Sequence, residues 1–437
     1  MSSQPDPKFP PSGKGKIFYG WWVVLACAIV GFYTGGAFFY GFTAFFIPIS
    51  STFGWSYATI ALASSIRSME SGAFSPITGF LTDKFGPRKV MFCGALILGW
   101  SAILFSHINS LPTFYLAYLG VSLGMSACIG VVPLTAVANW FRAKIGSATA
   151  LLVTGFAAGG FMAPVIVWFI AQYDWRTTML ILGIGTWILC LPLTLIVRHK
   201  PEQYGYSIDG DRAPVQFPSR TTESETAEFV KATERESTHT VDFTVREALR
   251  TRTFWVLISV LIANSLAVSA IMLHMLPYMD SIQITEQTAS FIIPLVTGSS
   301  IAGRLLLGWL ADRVDKRYIL VTACILRTIG VFVFTYAQSL PWLILFAITF
   351  GPGYGSIVVM RIAVAREYFG RRSIGTIQGF MMGIMTLGSM VGPWLAGYIF
   401  DINGDYQIAW LAIAIVSMIV IPLPLLIKPL RKASHTP

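Results

Sequence analysis

The chain is 437 residues long, and 54% of its residues are apolar while only 12% are charged. A typical soluble domain is about one quarter charged, so this composition excludes a water-soluble enzyme and indicates a membrane protein. The five cysteines lie in apolar segments without paired or metal-type spacing, and the sequence contains no recognisable phosphate-binding loop or nucleophile elbow. We therefore expect no cofactor, no metal ion and no enzymatic activity.

Residues 1–17 form a polar N-terminal tail, without the short apolar core and cleavage site of a signal peptide. Apolar stretches follow, each of about 20 residues, which is the length that a helix needs to cross a bilayer core. Twelve such helices are predicted, at residues 20–45, 57–80, 89–107, 112–136, 146–170, 177–197, 253–278, 288–311, 318–337, 342–364, 374–400 and 406–428.

The positions of lysine and arginine predict how these helices are oriented. Outside the predicted spans they lie in the two tails and in alternate connections, and the intervening connections contain only Arg176. By the positive-inside rule, both termini and the long central connection are cytoplasmic. The net charge of +10 is thus a sign of topology and requires no nucleic-acid partner. We expect a multi-pass protein of the cell (inner) membrane.

The central connection, residues 199–250, divides the chain into two bundles of six helices. The first bundle spans 18–198, the second spans 251–428, and residues 429–437 form a cytoplasmic tail. Most of the connection is rich in Ser, Thr and Glu and cannot bury enough apolar surface to fold alone, so we interpret it as a linker. Near its end Val245 and Leu249 lie one turn apart among arginines, which favours a short interfacial helix.

A charged motif occurs after the second predicted span and again, 229 residues later, after the eighth. The same offset carries Gly159 onto Gly388 and Pro164 onto Pro393, so the two halves repeat one design. The first copy contains Gly79, Asp83, Lys84, Gly86, Arg88 and Lys89, and the second contains Gly308, Asp312, Arg313 and Arg317.

The twelve spans, the central linker and the paired motifs resemble the major facilitator superfamily. The resemblance implies an all-α membrane fold of 12 transmembrane helices in two pseudo-symmetric six-helix bundles. It also implies that the ten motif residues form a cytoplasmic gate, in which a carboxylate caps a facing helix end or pairs with an arginine in the outward-open state. For Lys84, Lys89 and Lys316, simple agreement with the positive-inside rule is the alternative interpretation.

Ionisable side chains at membrane depth are costly and therefore indicate function. Four of the five candidates are positive, which suits a cavity for an anion, because a guanidinium matches a carboxylate with two parallel hydrogen bonds. The repeat offset places uncharged residues opposite four of them, so these charges are not part of the shared scaffold. The five candidates are Arg67, Glu70, Arg304, Arg327 and Arg361.

Each of these charges also has a structural interpretation. Arg67 and Glu70 are three residues apart and are spaced to neutralise each other on one helix face. Arg327 lies on a ninth helix, which in the superfamily is at the outside of the bundle, so pairing or snorkelling is favoured there. Arg361 lies near the cytoplasmic gate. Arg304 is the best substrate-binding candidate because of its depth and its small, polar neighbours.

Three features are similar to the monocarboxylate transporters and the related oxalate/formate antiporters. Residues 19–24 read Tyr-Gly-Trp-Trp-Val-Val, like the opening of their first helix, and residues 140–144 followed by 155–160 resemble their fifth-helix motif. Arg304 stands four residues before Gly308, at the position of a carboxylate-binding arginine in both groups. The resemblance thus implies transport of a small organic anion.

The chain departs from these groups at three positions. Ser300 replaces the aspartate proposed to take the coupled proton in the animal monocarboxylate transporters, and Tyr40 stands near the position of their first-helix lysine. Residues 374–400 lack the lysine that holds a second carboxylate in the oxalate transporter. One arginine fits one carboxylate, and Glu70 or His274 would replace the missing aspartate if transport is coupled to protons.

The sequence therefore predicts a secondary active transporter that moves a small organic anion by alternating access, with a monocarboxylate such as lactate or pyruvate as the expected substrate. Proton symport, anion exchange, transport of another anion and a transporter-like sensor stay open as alternatives. His274 either carries a proton or is a satisfied histidine at a helix end. The predicted substrate-binding residues are Arg304, Arg361, Tyr33, Tyr40 and Tyr278, and the predicted proton-coupling or charge-relay residues are Arg67, Glu70 and His274. The expected partners are the anion, the proton and the lipid bilayer.

Overall fold

The computed structural model describes residues 18–141, 144–199, 201, 245–311, 313–369 and 374–427. All regular elements in these ranges are helices. The predicted tails, most of the linker and the gate residue Asp312 lie outside the described residues. The long helices are α1 (Tyr19–Phe53), α2 (Tyr57–Phe85), α3 (Pro87–Ser106), α4 (Leu111–Trp140), α5 (Ile145–Tyr173), α6 (Trp175–Ile196), α7 (Arg252–Ser281), α8 (Glu286–Ala311), α9 (Lys316–Thr335), α10 (Leu340–Phe369), α11 (Ile374–Asn403) and α12 (Gln407–Leu426).

The helix lengths agree with the twelve predicted spans. Eleven of the helices are long and apolar enough to cross a membrane. The remaining helix, α2, has 29 residues but is less apolar, because it carries the charged residues Arg67, Glu70, Asp83 and Lys84. The short helix predicted near the end of the linker is present at Val245–Leu249.

Several helices change geometry near mid-membrane. A π-helical turn interrupts α1 at Gly36–Tyr40, and a 3-10 turn interrupts α5 at Gly159–Met162. The break in α4 lies at Gly130, where φ is +83°, a conformation that glycine adopts without the steric cost of a Cβ atom. Such interruptions in transmembrane helices are often found at functional sites. All three lie close to the cavity described below.

The two halves pack their helices in the same way, as the sequence repeat predicts. In the first half α1 packs on α5 and α3 packs on both α4 and α6, while in the second half α7 packs on α11 and α9 packs on both α10 and α12. The equivalent residues Gly159 and Gly388 show why the repeat is kept. A Cβ atom at Gly159 would collide with the α1 backbone at Gly36, and one at Gly388 would collide with the α7 backbone at Ile262.

The halves meet mainly along three helix pairs, α2 with α11, α5 with α8 and α1 with α7. We call the membrane face where α1 begins and α12 ends the terminal face, and the opposite face the far face. Hydrogen bonds between the halves tie them together from mid-membrane to the far face. There Asp401 accepts hydrogen bonds from the backbone N–H groups of Tyr57 and Ala58, at 2.9 and 2.8 Å, and Thr43 Oγ1 donates to the Leu273 carbonyl at 2.8 Å. The far face is therefore closed in this conformation.

Candidate substrate-binding site

A cavity of about 370 Å³ lies between the two halves, within the range of small-molecule sites. Its walls come from α1, α2, α4 and α5 in the first half and from α7, α10 and α11 in the second. Hydroxyl groups dominate the polar part of the lining. The polar lining residues are Ser64, Arg67, Ser68, Ser71, Tyr118, Ser122, Ser126, Asn264, Ser265, Ser269, Tyr354, Thr386 and Ser389.

Arg67 on α2 is the charged residue of this cavity. Among the described residues of the lining, no other carries a charge at neutral pH. Its guanidinium carbon lies 4.8 Å from the centre of the Phe39 ring, and this cation–π contact holds the side chain in place. Arg67 lies about 15 Å along α2 from the start of the helix at the far face, counting 1.5 Å per residue, so its charge lies near mid-membrane.

Glu70 lies one turn from Arg67 but does not form an ion pair with it among the described contacts. Glu70 is 5% exposed, accepts a hydrogen bond from the Ser122 hydroxyl and lies 3.4 Å from the Ser126 hydroxyl. Both serines line the cavity. The expected neutralising pair is therefore wrong for this conformation, because α4 supplies the hydrogen bonds to Glu70 and leaves Arg67 directed at the cavity. The two charges still interact electrostatically at longer range.

The candidate residues Arg304 and Arg361 each lie one side chain behind the cavity wall. The guanidinium carbon of Arg304 is 5.8 Å from the centre of the Tyr354 ring, and Tyr354 lines the cavity. Arg361 Nη1 lies 3.4 Å from the sulfur of Met385, which also lines it. Nε of both arginines is buried without a hydrogen-bond partner among the described residues. The direct contact with the cavity that the sequence predicts for Arg304 is thus made by Tyr354.

Arg327 is more deeply placed than its position on the ninth helix predicts. The side chain is 0% exposed, so it does not snorkel to a surface. Its Nη1 donates a hydrogen bond of 3.3 Å to Oδ1 of Asn264, a residue of the cavity wall.

The three candidate tyrosines are not grouped around one site. Tyr33 donates to the Leu182 carbonyl at 2.8 Å, and Tyr278 donates to the Phe334 and Ala337 carbonyls at 2.8 and 3.0 Å. Both hydroxyls therefore bond within one half, and neither tyrosine is among the residues that line the cavity. Tyr40 is buried, at 1% exposure. It interacts electrostatically with Tyr354 and Arg304, so it belongs to the layer behind the wall.

His274 is a satisfied histidine rather than a lining residue. It is 0% exposed, its Nδ1 lies 3.0 Å from the Tyr406 hydroxyl, and its Nε2 lies 2.9 Å from the Pro393 carbonyl. Because a carbonyl only accepts, Nε2 carries the proton, and the neutral ring accepts from Tyr406 at Nδ1. The structure thus favours the second of the two interpretations of this residue.

The serines of α2 were not predicted as site residues, although the sequence contains a signal for them. Ser64, Ser68 and Ser71 follow the helical period together with Arg67, so they form one polar stripe along α2. Within the described residues no group of three or more His, Cys, Asp or Glu side chains is placed to hold a metal ion.

Comparison with known proteins agrees with this architecture. The family model of the Major Facilitator Superfamily matches residues 27–332 and 265–437, which together cover most of the chain. The chain belongs to this superfamily. It is 27% identical to human monocarboxylate transporter 12, over 97% of the chain and 83% of that protein, and 24% identical to human monocarboxylate transporter 2, over 94% and 85%. The protein is therefore a transporter of this superfamily.

Solved structures of the superfamily share the fold. A bacterial homologue of the human lysosomal transporter Spinster superimposes with a TM-score of 0.71 at 15% identity, over 94% of this chain and 97% of that chain. The nucleoside transporter NupG superimposes with a TM-score of 0.70 at 15% identity, over 92% and 99%. These two structures support the twelve-helix superfamily fold predicted from the sequence.

The first copy of the predicted gate motif runs from the end of α2 across Gly86 into the first turn of α3. The helix continues to Phe85 and ends at Gly86, where φ is +84° and glycine is therefore favoured. Asp83 is exposed and contacts no basic side chain in the part of the chain that the structure describes. Lys84 Nζ lies 5.5 Å from the centre of the Phe85 ring. Of the remaining residues of the first copy, Gly79 lies on α2, and Arg88 and Lys89 lie at the start of α3.

The second motif copy makes its contacts within its own half. Asp315 accepts a bidentate hydrogen bond from Arg317, whose Nη1 also donates to the Ile427 carbonyl at 3.1 Å. This pairing lowers the pKa of the exposed Asp315 carboxyl below its usual value. Arg313 stacks on Trp309, with its guanidinium carbon 3.7 Å from the ring centre. The described contacts of this second copy thus stay within one half, while the hydrogen bonds between the halves lie from mid-membrane to the far face.

Proposed function

We propose that the protein is a secondary active carrier of a small organic anion, with monocarboxylates such as lactate or pyruvate as its substrate class. The observation that carries this proposal is Arg67, a single guanidinium in a cavity otherwise lined by hydroxyl, amide and apolar groups. A fixed positive charge at membrane depth favours an anionic ligand. The names of the related human monocarboxylate transporters support the same class.

The carboxylate binds the planar guanidinium of Arg67, which can donate two parallel hydrogen bonds to it. The serine hydroxyls of α2 and α4 complete the hydrogen bonding of the remaining oxygens. Arg304 and Arg361 act at longer range from behind Tyr354 and Met385, where their charges add to the positive potential of the cavity. The phenyl and thioether groups of the wall surround the small apolar part of such a substrate.

Glu70 supplies a route for proton symport. Its carboxylate lies behind Ser122 and Ser126 and interacts electrostatically with Arg67. When Glu70 is charged, it competes with the substrate carboxylate for the field of Arg67. Protonation removes that competition, so proton and anion are loaded together. His274 has no part in this step, because both of its ring nitrogens are engaged away from the cavity.

The positive-inside distribution assigns the terminal face to the cytoplasm and the far face to the exterior of the cell membrane. On this assignment the closed far face, with Asp401 bound to the start of α2, corresponds to a conformation that exchanges substrate with the cytoplasm. Alternating access then requires these far-face bonds to break while the exposed gate residue Asp83 finds a partner.

Uptake of radiolabelled lactate and pyruvate into proteoliposomes tests the proposal, with and without an inward proton gradient. We expect saturable uptake that falls at least tenfold in Arg67→Gln and by less in Arg304→Gln. Arg246→Gln, on the exposed short helix of the linker, removes a charge of the same kind and serves as the matched control. Wild-type uptake that depends on an anion inside the vesicles would assign exchange instead of symport. Full uptake by Arg67→Gln would refute the assigned site.

A further inference from the structure

Arg327 on α9 is a buried charge without a compensating carboxylate among the described residues. The side chain is 0% exposed, and its Nε and Nη2 atoms have no hydrogen-bond partner in the described part of the chain. Removing a guanidinium from water without pairing it is strongly unfavourable, so such a residue calls for a functional explanation. The described polar contact of its guanidinium is the bond from Nη1 to Oδ1 of Asn264, at 3.3 Å.

This bond fixes the orientation of the Asn264 amide. A guanidinium has donors and no acceptor, so the atom of Asn264 that faces Arg327 must be the carbonyl oxygen. The amide NH₂ group then points away from Arg327. Asn264 lines the cavity. Its Nδ2 makes no described hydrogen bond with the protein, and this atom is not fully buried. The NH₂ group is therefore a free donor at the cavity wall.

The pair is also absent from the other half of the molecule. The repeat offset of 229 residues places Gly35 opposite Asn264 and Leu98 opposite Arg327. The scaffold therefore folds one of its halves without either polar group. Counting 1.5 Å per residue from the terminal face, Asn264 lies about 18 Å along α7 and Arg67 about 27 Å along α2, and both line the same cavity from opposite halves.

We propose that Asn264 is a second substrate-binding residue, which donates an amide N–H to an oxygen of the anion, and that Arg327 is a positioning residue that holds and polarises this amide. The inference rests on the proposed function, since it assigns the partner of Arg67 on the other half. An anion bound by Arg67 of α2 and Asn264 of α7 bridges the two halves. Arg327 acts on the substrate only through the amide of Asn264 and does not contact the substrate.

Binding to the purified full-length protein tests this proposal, with acetate, L-lactate, pyruvate and oxalate as probes and neutral lactamide as the uncharged counterpart of lactate. We expect Asn264→Ala to weaken binding of the anions about tenfold, the effect of losing one hydrogen bond to a charged group, and to change lactamide binding less. Asn264→Asp keeps Arg327 paired and the fold intact, but it removes the donor and adds a negative charge. We expect it to lose anion binding more completely than Asn264→Ala.

A double-mutant cycle separates positioning from a merely structural role. If Arg327 acts through Asn264, Arg327→Met weakens anion binding in the wild-type background and has little further effect in the Asn264→Ala background. Thr328→Val changes the neighbouring buried side chain and should leave anion binding unchanged. Independent, additive losses would overturn the role of Arg327.

The outcomes distinguish this proposal from the function on which it rests. If folded wild-type protein binds none of the four anions, the proposed function and the assignment of Asn264 are both refuted. If the wild type binds an anion, Arg67→Gln loses it and both Asn264 variants keep wild-type affinity, then the anion site stands and the assignment of Asn264 is wrong.

Discussion

Asp401 provides a direct test of how the far face is closed. Its two carboxylate oxygens accept from the Tyr57 and Ala58 N–H groups, at 2.9 and 2.8 Å, so a residue of α11 caps the first turn of α2 across the interface between the halves. Loss of a helix cap costs about 0.5–2 kcal/mol. Because Asp401 is exposed, the part due to the helix dipole is screened, and about 1 kcal/mol is the appropriate size. Asp401→Ala should therefore lower the ratio of closed to open far face about fivefold.

Hydrogen exchange of the peptide that contains Tyr57 and Ala58 measures this change, since both amides are protected by Asp401 in the closed state. We expect the exchange to become about fivefold faster in Asp401→Ala and less so in Asp401→Asn, which keeps one acceptor oxygen. Asp405→Ala is the matched control, because Asp405 caps Gln407 within its own half at 2.9 Å. Exchange in Asp401→Ala within twofold of the wild type would refute the capping argument, as would equal acceleration by Asp405→Ala.

Three further substitutions separate coupling from packing. Glu70→Gln keeps a hydrogen-bonding side chain but cannot carry a proton, so lactate uptake in proteoliposomes should lose its response to a proton gradient; an unchanged response would exclude Glu70 as the coupling group. His274→Ala removes the partner of the buried Tyr406 hydroxyl, at a cost of about 1–3 kcal/mol, together with the bond to the Pro393 carbonyl, so the melting temperature should fall while the gradient response persists. A stable variant without coupling would contradict this view. Tyr33→Phe removes one of two hydroxyl hydrogen bonds to the Leu182 carbonyl, since Thr186 Oγ1 still donates to it, and should lower stability by about 1 kcal/mol without changing substrate affinity, which a binding titration checks.

The fold could be predicted from the sequence because its signals are local or repeated. Apolar stretches long enough to cross a bilayer mark the spans, and the offset that joins Gly159 to Gly388 reports the same helix contact in each half. The second span is predicted to end at residue 80, before the actual end of α2, because charged residues such as those that follow are typical of loops. The helix continues there to Phe85 because the charged side chains are exposed and leave the backbone hydrogen bonds intact.

The candidate site was harder to predict, because depth in the membrane does not tell which way a side chain points. Arg304 and Arg67 are both charged residues well inside predicted spans, and only the packing of Tyr354 in front of Arg304 separates them. In the same way, Glu70 was expected to bind its neighbour on the helix, but a hydroxyl from α4 takes that place. Tertiary neighbours decide such cases, and one sequence does not contain them.

The cavity combines a symmetric shape with an asymmetric chemistry. Repeat-equivalent positions on the two sides supply much of its aromatic and aliphatic frame, namely Phe39 with Val268, Met125 with Tyr354, Ile129 with Val358, and Phe156 with Met385. The charged position has no such partner, since the offset carries Arg67 onto Val296, which does not line the cavity. Rocking of two similar halves requires matching packing surfaces, whereas binding one carboxylate requires one set of donors. Packing and substrate binding therefore depend on different residues, so the polar residues of the wall can be substituted without changing the packing surfaces on which the rocking motion depends.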